Sequence, residues 1–324
     1  MLNEPQGGGT VVVTEPWNLA GRARELLATI GTVHDGPFDR ATLLTSLGSA
    51  VVLFVRLGHQ IDREVLAAAP HLRFIGSPTT GTDHIDLDAA AAHGVAVVTL
   101  RGEVEFLRTI KATPEHTWAL LLALARKLPT AARASLRPPW DRDAHRGTEL
   151  AGKRLGVFGL GRVGQIVAGY AQAFEMSVSA FDTRDREAPG VELVTSLEAL
   201  LERSDVLLVH VPLEPATRHA IGAGELALLP PGALLVNTAR GAILDEAAVV
   251  RSLEEDHLAG VAVDVLEGEL DPGGLQGSPL LAYAREHPTR AIVTPHIAGA
   301  TWESMQRTEV FLAQRLRDLA VGGA

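Results

Sequence analysis

RLGVFGLGRVG, residues 154–164, decides the fold of this chain. An apolar, strand-like run (154–158) leads into Gly159, Gly161 and Gly164. A segment with Ile166, Val167, Tyr170 and Phe174 at helical spacing follows. The three glycines serve different ends. Gly159 makes the tight turn, Gly161 lets a pyrophosphate approach the backbone, and Gly164 lets helix and strand touch. The helix start presents free N–H groups and a positive dipole end to an anion. Asp182 stands 18 residues beyond Gly164, directly after the next strand-like run VSAF. An acid at that distance hydrogen-bonds the adenosine ribose of NAD and repels the extra phosphate of NADP, so NAD is expected. Arg184 argues the other way, because a nearby arginine can receive that phosphate.

Working outward, strand candidates continue at Val178–Phe181, Val206–Val211, Ala233–Asn237, Gly260–Asp264 and Ala291–Thr294. With Arg154–Phe158 they make six, as a doubly wound dinucleotide fold needs. Upstream, Val11–Val13, Val51–Val55, Arg73–Ile75 and Val95–Val98 alternate with helical segments over 19–30 and 61–69, which predicts a second, smaller α/β domain. A long helix is expected from Pro114 to Leu128, because proline suits a first turn and Pro129 should stop it. The segment 135–147 reads as a surface connection, and a last helix is expected over 302–319. The fold class is therefore α/β, with two doubly wound parallel-sheet domains.

Composition excludes several classes of function. A chain of 324 residues suits two domains, and 46% hydrophobic against 21% charged residues is enough for buried cores. A formal net charge of −10 makes nucleic acid and anionic membrane poor partners. With no cysteine, a disulfide framework, a thiol nucleophile and Cys-ligated metal are ruled out, and no metal is expected. MLNEPQGGGT lacks the basic and apolar regions of a signal peptide. The longest apolar stretch, 118–125, falls short of the ~20 residues of a membrane span. A soluble, cytoplasmic protein is the expectation.

Reducing a carbonyl beside a nicotinamide needs an acid for the developing alkoxide and a cation for a substrate carboxylate. Candidates stand just after predicted strands: Arg240 in VNTARG, Glu269 in DVLEGEL and His296 in TPHIAGA. As a set they allow Glu to stabilise protonated His, His to exchange the proton and Arg to orient the carboxylate.

The chain resembles the D-isomer-specific 2-hydroxyacid dehydrogenases. The resemblance runs through GTDHIDLDAAAAHGVAVV (81–98), PEHTWALLLAL (114–124), ELAGKRLGVFGLGRVGQ (149–165) and VHVPLEPATRHAIG (209–222). It continues in LLVNTARGAILDEAAVV (234–250), AGVAVDVLEGE (259–269) and TPHIAGAT (294–301). It implies a catalytic set of Arg240, Glu269 and His296, with Glu269 rather than Glu267 in the acidic role. It implies NAD contacts from Gly159, Gly161, Arg162, Val163, Gly164, Asp182, Val211, Pro212, Thr238, Ala239 and Asp264. Thr80 and Gly81 in SPTTGTD would offer N–H groups to the substrate carboxylate. The resemblance also implies a flavodoxin-like substrate domain (1–105 with 300–324), an inserted Rossmann NAD domain (106–299) and a homodimer.

The implied reaction is hydride exchange between NAD and a D-2-hydroxy acid or 2-keto acid, with 3-phosphoglycerate-like substrates included. The same fold hosts formate- or phosphite-type dehydrogenases, which the lack of an N-terminal extension disfavours. It also hosts NAD(H)-sensing corepressors, which the acidic charge and the lack of a peptide-docking tail disfavour. The absence of a regulatory domain after residue 324 separates the chain from long phosphoglycerate dehydrogenases. One departure from the family stands out: TLRGEVEFLRTIKATPEH (99–116) is several residues longer than usual. Its Arg101, Arg108 and Lys111 are expected either to face an anionic substrate from a loop or to be a solvated connection.

Overall fold

The computed structural model describes residues 9–322 except residue 272, so the reading of MLNEPQGG as free of a targeting signal lies outside the described residues. The chain divides into two compact units, Met1–Thr109 with Thr301–Ala324, and Ile110–Ala300.

In the first unit five strands, β1 (Thr10–Val13), β2 (Thr32–Asp35), β3 (Ala50–Phe54), β4 (Phe74–Gly76) and β5 (Ala96–Val98), pair in parallel in the order β2-β1-β3-β4-β5. This is the flavodoxin-like doubly wound order. The central strands are apolar throughout because helices cover both faces. Leu43, Leu47, Val65, Leu66, Ala89 and Ala90 pack on one face. Helices Gly21–Ala28 and Trp302–Val321 pack on the other through Leu26, Leu27, Leu312 and Leu316. The C-terminal helix comes so close to the sheet that a Cβ on Gly76 would lie 2.5 Å from Leu316 Cδ1, which is why that strand ends in glycine.

In the second unit β6 (Arg154–Phe158), β7 (Ser177–Phe181), β8 (Val191–Leu193), β9 (Val206–Val209), β10 (Ala233–Asn237), β11 (Leu258–Val263) and β12 (Ala291–Val293) form one parallel sheet ordered β12-β11-β10-β9-β6-β7-β8. The order reverses between β6 and β9. The crevice at the C-terminal ends of these strands is where such sheets bind ligands.

Four expectations need correction. Two strands, β2 and β8, lie outside the predicted set; both are short sheet edges with two residues each exposed, so neither carries an apolar run. The long helix starts earlier than predicted and spans Ala112–Ala125. Pro129 does not stop it: Lys127 at φ 52° breaks the chain, and Pro129 sits in the first turn of a new helix, Leu128–Ala134. Finally, 99–114 is no plain loop, because Val104–Arg108 is helical. Phe106 stacks on Phe311 at 4.1 Å and Arg315 reaches Glu103 at 3.1 Å, long-range anchors that local sequence does not reveal.

Candidate active site

The turn after β6 has the geometry of an anion cradle. Gly159 adopts φ +98°, and a Cβ there would lie 2.7 Å from the backbone of His210 at the end of β9. A Cβ on Gly164 would meet the Gly159 carbonyl at 2.2 Å, whereas one on Gly161 would meet nothing within 4 Å. Helix and strand are therefore in contact, and the space before the helix Arg162–Ala173 is open to a ligand. Val163 is half-buried against the core beneath. Arg162 donates from Nη1 to the Ile110 carbonyl at 2.9 Å, and burial lowers the pKa of its guanidinium.

Asp182 follows β7, and its Oδ2 accepts the Leu160 N–H of the glycine turn at 2.9 Å. Its Oδ1 accepts the Arg184 backbone N–H at 2.9 Å. The carboxylate is thus tied to the turn that would hold the phosphates. After β9 stand half-buried Val211 and exposed Pro212, whose carbonyl accepts the Thr217 hydroxyl at 2.7 Å.

The end of β10 carries the next group. Buried Thr238 shares a hydrogen bond of 2.7 Å with Thr117, and the Ala239 N–H is held by Asn237 Oδ1 at 2.9 Å. Arg240 is half-buried; its Nη1 donates to the Ala239 carbonyl at 2.7 Å, and Asn237 Nδ2 donates to the Arg240 carbonyl at 2.8 Å. A Cβ on Gly241 would lie 2.0 Å from the Leu266 carbonyl carbon, so the arginine segment rests directly on the loop that carries Glu269.

In that loop the two glutamates separate. Glu269 Oε1 lies 2.6 Å from His296 Nδ1, and its Oε2 accepts the Leu266 N–H at 3.0 Å. Glu267 instead pairs with Arg218 and with His219 Nε2, the latter at 2.8 Å. Burial would raise the Glu267 carboxyl, but these two partners hold it below its ordinary range.

His296 sits at φ 53°, an uncommon conformation for a residue with a side chain. Asp264 fixes it. The Asp264 carbonyl accepts the His296 N–H at 2.8 Å, and its fully buried carboxylate accepts Ile297 N–H at 2.9 Å and Ala298 N–H at 2.7 Å. The Thr294 hydroxyl donates to the same carboxylate at 2.6 Å, and His116 Nε2 lies 3.3 Å from it and 3.1 Å from Thr294 Oγ1. Burial alone would raise the Asp264 pKa; these donors outweigh it and hold it low.

Two histidines that the sequence did not single out belong here, His116 and His210. Burial, and secondarily Arg162, push the His210 pKa down to about 3, and its Nε2 is shut from solvent without a hydrogen-bond partner. The one sequence signal is the lone His210 in the otherwise apolar run VLLVHVPL (206–213); His116, between Glu115 and Thr117, gives none.

Of the other expected residues, Thr80 and Gly81 lie in the first unit, in the loop after β4. Thr79 Oγ1 donates to the Gly81 carbonyl at 2.7 Å, and buried Ser77 joins Thr79 at 2.9 Å and His84 at 3.0 Å. Arg101 and Arg108 are exposed, and Arg108 pairs with Glu105 on its own helix at 3.1 Å. Among the described residues no cluster could hold a metal ion, and no helix is long and apolar enough to cross a membrane.

An open glycine turn, an acid after the next strand and a histidine–glutamate pair all stand after parallel strands of the second unit. Residues 118–298 match the family described as D-isomer specific 2-hydroxyacid dehydrogenase, NAD binding domain, and the chain belongs to that family of NAD-dependent enzymes. D-3-phosphoglycerate dehydrogenase of Methanocaldococcus jannaschii is 35% identical over 96% of this chain and 57% of its own length. Glyoxylate reductase of Aeropyrum pernix is 38% identical over 87% of this chain and 83% of its own. The chain thus spans about half the length of the phosphoglycerate dehydrogenases it matches. Among solved structures, D-lactate dehydrogenase from Aquifex aeolicus, complexed with NAD and lactic acid, superposes with TM-score 0.84 at 28% identity, covering 97% of this chain and 96% of that one.

Proposed function

We propose that this chain exchanges a hydride between NAD and a D-2-hydroxy acid or its 2-keto acid. The observation that carries the reading is the 2.6 Å contact of Glu269 with His296 Nδ1, in the unit that matches the family's NAD-binding domain.

NAD, when bound, supplies or takes up the hydride at its nicotinamide. The residues present fit it: Gly161 leaves the phosphate space open, the first N–H groups of the helix face an anion, and Asp182 can accept from a ribose hydroxyl. Val163, Val211, Pro212, Thr238, Ala239 and Asp264 are assigned to the same cofactor site.

With Nδ1–H donated to Glu269, His296 keeps Nε2 for proton exchange. It gives that proton to the substrate oxygen in reduction and takes it back in oxidation, while the Glu269 carboxylate stabilises the imidazolium. Arg240 pairs with the substrate carboxylate.

The decisive experiment is NADH oxidation with glyoxylate, hydroxypyruvate, 3-phosphohydroxypyruvate, pyruvate and branched 2-keto acids, alongside His296→Asn and Arg240→Gln. Turnover of at least one keto acid that each variant abolishes supports the reading. Inertness toward all of them overturns it.

We also propose a homodimer formed through the second unit. Leu136 and Trp140 there are more than 80% exposed, and Leu128 is about half exposed, a poor state for large apolar side chains of a lone chain. Light scattering should give twice the 34.3 kDa chain mass, and Trp140→Glu should shift it toward one chain. A wild-type mass of one chain would refute it.

A further inference from the structure

Glu246 is a buried acid that the proposed reaction does not use. It opens the helix Glu246–Glu254, yet it is only 7% exposed. The helix does not need it as a cap, since Asp245 already accepts the Ala248 N–H at 3.0 Å. Both carboxyl oxygens of Glu246 bond instead to other segments of the second unit. Oε1 accepts the Glu267 backbone N–H at 2.9 Å, and Oε2 accepts the Ser278 hydroxyl at 2.6 Å. Ser278 is buried as well, and it caps the helix Pro279–Glu286 by accepting the Leu281 N–H at 3.0 Å.

We propose that Glu246 is a positioning residue for the proton-exchanging pair: by holding the Leu266–Glu267 peptide it sets the Glu269 carboxylate against His296. The proposal rests on the reading of His296 and Glu269 as that pair, and adds to it a residue that touches neither side chain.

The chain of contacts is short. Glu269 Oε2 accepts the Leu266 N–H at 3.0 Å while Oε1 meets His296 Nδ1 at 2.6 Å, so the glutamate is placed by backbone three residues before it. That backbone is gripped at the next N–H by Glu246. It also has no room to shift toward Gly241, where even a Cβ would overlap the Leu266 carbonyl carbon. The loop needs such a grip, because Gly268, at φ +72° between the two glutamates, brings a backbone freedom that other residues lack. A part-buried N–H that loses its acceptor finds another by moving or by admitting water, and either response displaces Leu266 and with it Glu269. Misplacing a reacting group by about 1 Å costs on the order of 100-fold in rate.

The test reads the contact itself as well as turnover. In the cofactor-free protein the Nδ1 proton between His296 and Glu269 should give a far-downfield proton resonance, identified by its displacement in Glu269→Gln. Glu246→Ala should shift or broaden that resonance and lower kcat for keto-acid reduction about tenfold or more, with the NADH dissociation constant changed less than about threefold. Glu246→Asp, which keeps the charge but falls one methylene short of the Glu267 N–H, should do the same, and it decides the matter if Glu246→Ala does not fold. Glu246→Gln keeps an oxygen for that N–H and should stay within about threefold of wild type on every reading. A lowered melting temperature with resonance and kcat unmoved would make Glu246 merely structural and overturn the proposal. So would Glu246→Gln losing as much as Glu246→Ala, or NADH binding falling in step with kcat. A wild type that turns over no keto acid would instead sink the hydride reading, and the resonance would still decide what Glu246 does.

Discussion

Glu269 Oε1 stands 2.6 Å from His296 Nδ1, although the two residues belong to different loops after β11 and β12. The contact needs Glu269 rather than Glu267, because Glu267 is already taken by Arg218 and His219. Glu269→Gln keeps the shape and removes the charge that stabilises the imidazolium. Its kcat for keto-acid reduction should fall about 100-fold with the NADH dissociation constant unchanged, and Glu267→Gln should cost less than about fivefold. Stopped-flow reduction and NADH fluorescence check both. The reverse ranking would move the acidic role to Glu267.

Asp264 makes the fold sensitive to acid. Its donors hold the folded-state pKa below the ordinary value of 3.8, so its contribution to stability is complete above that value and is lost as pH falls through the lower folded one. Asp264→Asn should be destabilised by about 2 kcal/mol near pH 7, and the gap to wild type should narrow below about pH 4. Denaturant unfolding at several pH values measures it. Because the same carboxylate shapes the turn that holds His296, kcat should fall as well.

His210 acts with the opposite charge and the same sign. Its folded pKa, pushed down to about 3, lies below the reference 6.5, so between these values the unfolded chain binds a proton that the folded one refuses. Stability therefore falls as pH drops below about 6.5, by up to ~1.4 kcal/mol per pH unit. His210→Asn should flatten that slope, and the ring nitrogen signals of His210 should not titrate above about pH 4. A midpoint near the reference value would show the ring to be solvated.

Much of this is readable along the chain, and the limits have physical causes. Gly159 and Gly164 are legible because a tight turn and a helix–strand contact each tolerate few residue types at fixed spacing. Glu269 and Glu267 are both acids in one loop, and what separates them is Arg218 and His219, 49 and 48 residues away. His116 meets Thr294 across 178 residues, a contact that no local pattern encodes. β2 and β8 escape notice because an edge strand buries too little to show periodicity. The guanidinium beside Asp182 belongs to Arg186, while Arg184 reaches that carboxylate through its backbone N–H, a difference that spacing alone does not encode.

Arg101 and Arg108 of the cationic segment 99–114 are exposed. Arg108 and Glu105 pair on the surface with 62% and 86% of their side chains exposed. Such a pair stabilises little, about 0–1 kcal/mol, so Arg108 can leave it for a better anion. If Arg101 and Arg108 serve a phosphorylated hydroxy acid, Arg101→Ala or Arg108→Ala should raise KM for 3-phosphohydroxypyruvate by roughly 10- to 100-fold, about 1.4–2.7 kcal/mol. Glyoxylate and hydroxypyruvate should hardly respond, since a small uncharged substituent gains nothing from a guanidinium. Equal KM values for phosphorylated and plain keto acids in wild type, unmoved by either substitution, would leave these arginines as solvated surface. The substrate would then be a plain 2-hydroxy acid.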